Sequence, residues 1–190
     1  MVKFTSRTPL AIAAVLAAAA PATGFAQTAG GEIPRAASTP GTPKNWIAPS
    51  HKIRVQAVVD TLIATHPEIM SITIHALPKG QPADAYTMIA GSFPDRVGNT
   101  SSPGDIITAK KGVTQVESKW GTPDYGKKVS VVLPLKDVSG KYLPVAIVIA
   151  FHQSTSSGKI DTDFMQPGIV IRDGIAKEFP TEASLYDRAN

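Results

Sequence analysis

The 190-residue sequence contains no cysteine. Disulfides, thiolate catalysis, cysteine-ligated metal centres and haem attachment through a CxxCH motif are therefore excluded, and the fold has to stand on core packing. Long hydrophobic runs are also missing: the run over residues 10–20 falls short of the ~20 apolar residues that cross a bilayer. Charge of one sign is scarce. The formal net charge is +4, but Lys3 and Arg7 stand in the first 26 residues with no acid beside them, and beyond them 17 basic residues face 15 acidic ones. No basic block exceeds a pair such as Lys110-Lys111 or Lys127-Lys128, which argues against nucleic acid as a partner. No HExxH, P-loop or GxSxG pattern occurs, and no serine has a histidine at a spacing that suggests a triad. These absences predict a binding protein rather than an enzyme.

What is present centres on residues 128–152, KVSVVLPLKDVSGKYLPVAIVIAFH. Two apolar runs flank a polar turn with Gly140, the pattern of a β-hairpin. Alternation puts Val129, Val131, Leu133 and Leu135 on one face of the first run, and Ser130, Val132 and Pro134 on the other. The second run is apolar on both faces, with Val145, Ile147, Ile149 and Phe151 opposed to Ala146, Val148 and Ala150. Such a strand belongs in the middle of a sheet covered on both sides.

Upstream, residues 1–26 carry a basic start, a short Ala/Leu/Val run and the small residues Gly24 and Ala26 at the −3 and −1 positions of a cleavage site. They read as a cleaved bacterial export signal, which places the mature protein in the periplasm. Residues 27–49, rich in Gly, Pro, Thr and Ser, read as a flexible leader, and residues 50–190 as a single domain of ordinary soluble composition. Ile53, Val55, Val58, Val59, Leu62 and Ile63 recur at helical spacing over residues 51–65, with Lys52, Arg54, Gln56 and Asp60 facing outward. Pro67 ends that helix. Residues 71–77 and 85–92 alternate as strands around a Pro-Gly turn, and residues 113–120 form another before the central hairpin. Between them lies the long polar segment 93–112, with a short helix at 105–110; segments of this length in compact domains are often functional. A helix is predicted over 168–179, and a last helical turn over 182–186.

Several short stretches along this order share a resemblance. They are HPEI (His66–Ile69) before the first strand, AGS (Ala90–Ser92) closing the second, RVGNTSSPGD (Arg96–Asp105), Gly112 before the third, and LPLKDVSGKYLPVAIVIAF (Leu133–Phe151). Together they resemble the extracytoplasmic PAS-like sensor domains of the Cache family, over about residues 50–152. The resemblance implies an α+β fold, a PAS-like (Cache) domain with a central antiparallel five-stranded sheet, a long N-terminal helix and C-terminal helices. It also implies a small-molecule ligand, with the liganded surface presented to a membrane receptor or sensor protein. Members commonly sit between two membrane spans of a receptor; this chain reads instead as a secreted single domain without a span, so ligand binding is the part that transfers.

The natural pocket lies between the sheet and the segment 93–112. Its best recognition residues are Arg96, to clamp a ligand carboxylate, and Asp105, to pair with an ammonium, with Trp120 and Tyr125 as flat walls. The plainer alternatives are an Arg96–Asp105 ion pair that braces the loop, and Trp120 as ordinary core. His75 and His152 would meet if the first and fifth strands are neighbours, as in PAS-like sheets, and would then suit a metal or haem iron. No third ligand stands at motif spacing, His75 shares the polar Ser71/Thr73 face, and no metal or cofactor is assigned. Another alternative is a structural or interaction protein with an empty pocket, docking through a sheet edge or its C-terminal helix.

Overall fold

The computed structural model describes residues 43–120, 127–153 and 157–190. The expected export signal, most of the leader, and Tyr125 lie outside the described residues. In chain order the elements are α1 (Arg54–Thr65), β1 (Ile69–Ala76), β2 (Thr87–Gly91), a 3-10 turn (Pro94–Arg96), α2 (Pro103–Lys111), β3 (Gln115–Trp120), β4 (Lys127–Lys136), β5 (Tyr142–Gln153), a 3-10 turn (Asp161–Phe164), α3 (Met165–Ala176) and a last 3-10 turn (Ala183–Tyr186). The fold is α+β: the strands form one five-stranded sheet in the order β2-β1-β5-β4-β3, antiparallel at every pairing.

The doubly apolar β5 sits at the centre, as its sequence requires. Its register places Ile147 against Ile74 of β1 and Leu133 of β4, and Ile149 against Ile72 and Val131. These side chains are fully buried with Val55 and Val59 of α1 and Ile175 of α3 in one cluster. Each such burial stabilises by ~1.5–3 kcal/mol. Across the sheet, Val132, Ala146 and the half-buried Val148 pack with Ile106 and Ala109 of α2 and with Tyr86. Thus α1 and α3 cover one face, and α2 covers the other.

The helices depart from expectation in three respects. First, α2 is longer than predicted. Ser102 closes a capping box with Asp105, its Oγ accepting from the Asp105 N–H and the carboxylate accepting from the Ser102 N–H at 3.0 Å; Pro103 starts the first turn and Gly112 ends the helix at φ 67°. Second, α3 begins three residues before the predicted start and stops before Phe179. Pro167 falls in its first turn, where no N–H is required, and Gly168 sits inside the helix because an added Cβ would lie 3.2 Å from Val131. The last helical turn expected over residues 182–186 is present as a 3-10 turn over Ala183–Tyr186. Third, Gln56 does not face outward: its amide donates to the Gly91 carbonyl at 3.0 Å and accepts from the Gly91 N–H at 2.9 Å, tying α1 to β2.

The polar segment does arch over the sheet, and its ascent begins at the outer edge of β2. Met88 donates to the Asn99 carbonyl, Gly98 to the Met88 carbonyl and Ser101 to the Tyr86 carbonyl, each at 2.9 Å. Residues 43–46, within the expected leader, pair in turn with this segment, Asn45 donating to the Gly98 carbonyl at 2.9 Å and Thr100 to the Pro43 carbonyl at 3.0 Å. The β2 edge is thereby covered rather than left as a template for another strand. No helix among the described residues is long and apolar enough to cross a membrane.

Candidate functional site

Beyond the bulge at the start of β1, its odd-numbered residues 71–75 face α2, as do the even-numbered residues of β4 and β5. They bring Thr73, His75, Lys128, Ser130 and Val148 to the floor of a cavity of about 260 Å³. The 3-10 turn contributes Arg96, the following strand-like segment Asn99 and Thr100, the start of α2 Ser102 and Asp105, and β3 Glu117. Two cationic and two anionic side chains therefore converge around one buried imidazole.

His75 is 7% exposed and fully engaged. Its Nε2 lies 2.8 Å from Thr73 Oγ1, and its Nδ1 lies 2.9 Å from Ser101 Oγ and 3.5 Å from Asp105 Oδ2. A neutral imidazole has one donor and one acceptor nitrogen, and rotatable hydroxyls on both sides satisfy either tautomer. Burial holds the His75 imidazole below its ordinary range, and the Asp105 carboxylate pulls the other way. Asp105 also accepts from Ser102 Oγ at 2.7 Å, so one carboxylate both caps α2 and faces His75. The Arg96 guanidinium carbon lies over the Phe93 ring, 4.5 Å from its centroid, and the side chain lines the cavity. A guanidinium is suited to bidentate contact with a carboxylate or phosphate.

Arg96 and Asp105, the two charged residues singled out in segment 93–112, line the same cavity. Trp120 is the last residue of β3, paired with Lys127, and its side chain lies outside the described residues, as does all of Tyr125. The proposed meeting of His75 and His152 is overturned by register. β1 and β5 are neighbours, but His75 pairs with Ala146, six residues from His152, a separation of roughly 20 Å along the strand. His152 pairs instead with Lys128 on β4. Among the described residues, no group of three or more His, Asp or Glu side chains is placed to hold a metal ion.

The polar Ser71/Thr73 face of β1 gives no sign that His75 is buried, yet α2 closes over it. The available signal was the apolar spacing of Ile106 and Ala109, which gives α2 a face that must be buried against something. Thr73, Ser130 and Lys128 carry no sequence mark, because their convergence depends on which strands are adjacent.

A larger groove of about 780 Å³ runs between α1, α3 and residues 187–190. Two of its charged groups are engaged with each other: Arg54 and Glu178 stand 3.6 Å apart, and the Arg54 guanidinium lies over the Phe179 ring. The smaller cavity under α2, where polar groups point inward, is the better candidate for recognition.

The sequence matches no family model and no curated protein. Among solved structures, the repressor BlcR of Agrobacterium tumefaciens is similar at 11% identity and a TM-score of 0.40, over 72% of this chain and 69% of that one, a likeness too slight to carry a functional inference.

Proposed function

We propose that the protein is a periplasmic PAS-like domain of Cache type that binds a small polar ligand between its sheet and α2, and acts as a sensor rather than an enzyme. The observation that carries this reading is the convergence of Arg96, His75, Asp105 and Lys128 in the 260 Å³ cavity roofed by the arched segment. The strand order β2-β1-β5-β4-β3, with the pocket helix on one face and α1 on the other, supports the PAS-like part. A cavity of this volume suits a metabolite of a few heavy atoms rather than an extended chain. Arg96 receives an anionic group of the ligand, and Asp105 with His75 receives its polar or cationic end. The liganded surface is then offered to a membrane receptor or sensor protein.

A thermal-shift screen over organic acids, amino acids and amines tests the reading. A ligand at ~100 times its Kd stabilises by roughly 2.7 kcal/mol. Titrating the best compound against Arg96→Ala should show binding lost with the fold retained, since charge-assisted bonds contribute about 1.5–3 kcal/mol. Unchanged affinity in a folded Arg96→Ala protein removes Arg96 from the site. Export is tested separately: the mature chain should begin near Gln27, and exported protein still starting at Met1 would refute cleavage.

A further inference from the structure

A second cavity, of about 510 Å³, opens away from the pocket under α2. Trp46 supplies one wall, Leu77, Pro78 and Lys79 at the end of β1 another, and Glu182, Ala183 and Tyr186 of the last 3-10 turn the third. The Trp46 and Tyr186 rings stand edge to face, 6.3 Å between centroids at 81°, and form an aromatic corner. Both rings are half-buried and pack on the main core, so the corner is fixed before any ligand arrives.

The polar groups of this corner are incompletely matched. Glu182 is half-buried, and no cation stands within ion-pair distance of it among the described residues. Burial pushes its carboxyl up from the usual range. The Tyr186 hydroxyl is buried and makes no hydrogen bond among the described residues. Burial raises its pKa, and the nearby Glu182 charge raises it further. A desolvated carboxylate without a counter-ion is costly, and the faces of aromatic rings attract positive charge. The site is short of a cation. Lys79 reaches the rim but stays exposed and does not pair with Glu182.

We propose that this corner binds a small quaternary ammonium ion, with its methyl groups against Trp46, Tyr186, Leu77 and Pro78 and its charge facing Glu182. A primary ammonium would bring three N–H donors to a cavity whose walls are mainly apolar, and Glu182 is its one carboxylate. A quaternary ammonium has no N–H to satisfy. The site is separate from the proposed ligand pocket and does not depend on it.

The test uses the purified full chain with choline and its neutral isostere 3,3-dimethylbutan-1-ol, followed by calorimetry and tryptophan fluorescence. Choline should bind saturably, and the isostere about tenfold more weakly or worse, because only the charge differs. Glu182→Gln should lower choline affinity by about tenfold while leaving the isostere unchanged. Trp46→Ala should abolish binding, and Trp46→Phe, which keeps a ring on the core, should retain part of it. Arg96→Ala should leave choline binding as it was, so failure here is distinguishable from failure of the pocket under α2. Absence of saturation, equal affinity for the two compounds, or a choline affinity that follows Arg96 and ignores Glu182 would each overturn the proposal.

Discussion

Against α1 and α3 the sheet presents Ile72, Ile74, Val131, Leu133, Ile147 and Ile149, all fully or almost fully buried and aliphatic. Against α2 it presents Thr73, His75, Lys128, Ser130 and Val148 around a cavity. The same strands build both faces, and alternation along β4, β5 and β1 beyond its bulge keeps the two chemistries apart. The first face is held by close packing, where lost volume is felt directly. The second is held by a capping box, a buried imidazole between hydroxyls, and backbone bonds at the β2 edge. Its core is only the small cluster around Tyr86, Ala109, Val132 and Ala146. Apolar packing is concentrated on one side of the sheet, and polar groups around a cavity on the other.

The largest expected effect lies on the packed face. Ile147→Ala removes a fully buried side chain from the middle strand and should cost ~2–5 kcal/mol in chemical denaturation. Val148→Ala, one residue along and half-buried toward the cavity, should cost clearly less. Equal losses for the two would mean that the faces do not differ in the way described.

The packed face was legible because burial imposes a period. Val129, Val131, Leu133 and Leu135 alternate with Ser130 and Val132, and the structure follows that alternation residue by residue. The both-sided apolar character of β5 placed it at the centre. The polar face was legible only in part. The length of segment 93–112 required an arch, which brought Arg96 and Asp105 over the sheet. Nothing in the sequence said that Thr73 and His75 would stand beside Ser130 and Lys128, because strand order and register arise from long-range pairing. The same dependence undid the His75–His152 expectation: adjacency was right, and register set the residues apart. Sequence also did not show residues 43–46 joining the edge, because their pairing with residues 98–100 is a long-range one; only Trp46, which packs on the main core, marked them as more than leader.

A middle-sized effect is expected where the arch is fastened. Gly98 has φ 94°, and a Cβ there would lie 2.3 Å from the Trp46 carbonyl oxygen. Gly98→Ala therefore combines left-handed strain with a backbone clash and should cost about 1–3 kcal/mol or more. Gly140→Ala is the control, with φ 84° but nothing within 4 Å of the added Cβ. Gly98→Ala should also loosen the pocket roof, raising amide exchange at Asn99 and Ser101 before that of β5. Matched costs for the two glycines would show that the Trp46 contact contributes nothing to the arch.

The smallest effect near neutral pH concerns His75. Burial lowers its pKa in the folded protein, while the Asp105 carboxylate acts in the opposite sense without overcoming that shift. Arg96, Lys128 and Glu117 line the same cavity and contribute to its field. In the unfolded chain the imidazole takes up a proton below about pH 6.5. Between that value and the lowered folded pKa, the unfolded state binds more protons than the native one, so stability falls as pH drops through this window. Below the folded pKa both states are protonated and the loss levels off. A single group changes stability by at most about 1.36 kcal/mol per pH unit, and by only a fraction of that just below neutrality. Urea midpoints at about pH 7.5 and about pH 5.5 should therefore draw together in His75→Gln relative to the parent chain, since its remaining titrating groups are shared. The level of stability in His75→Gln also reflects the altered bonds to Thr73 and Ser101, so the slope carries the information. Identical slopes would mean that the imidazole reaches water and protonates freely in the native state. The floor of the cavity would then be solvent-exposed rather than closed by α2, and the contrast between the two faces would weaken.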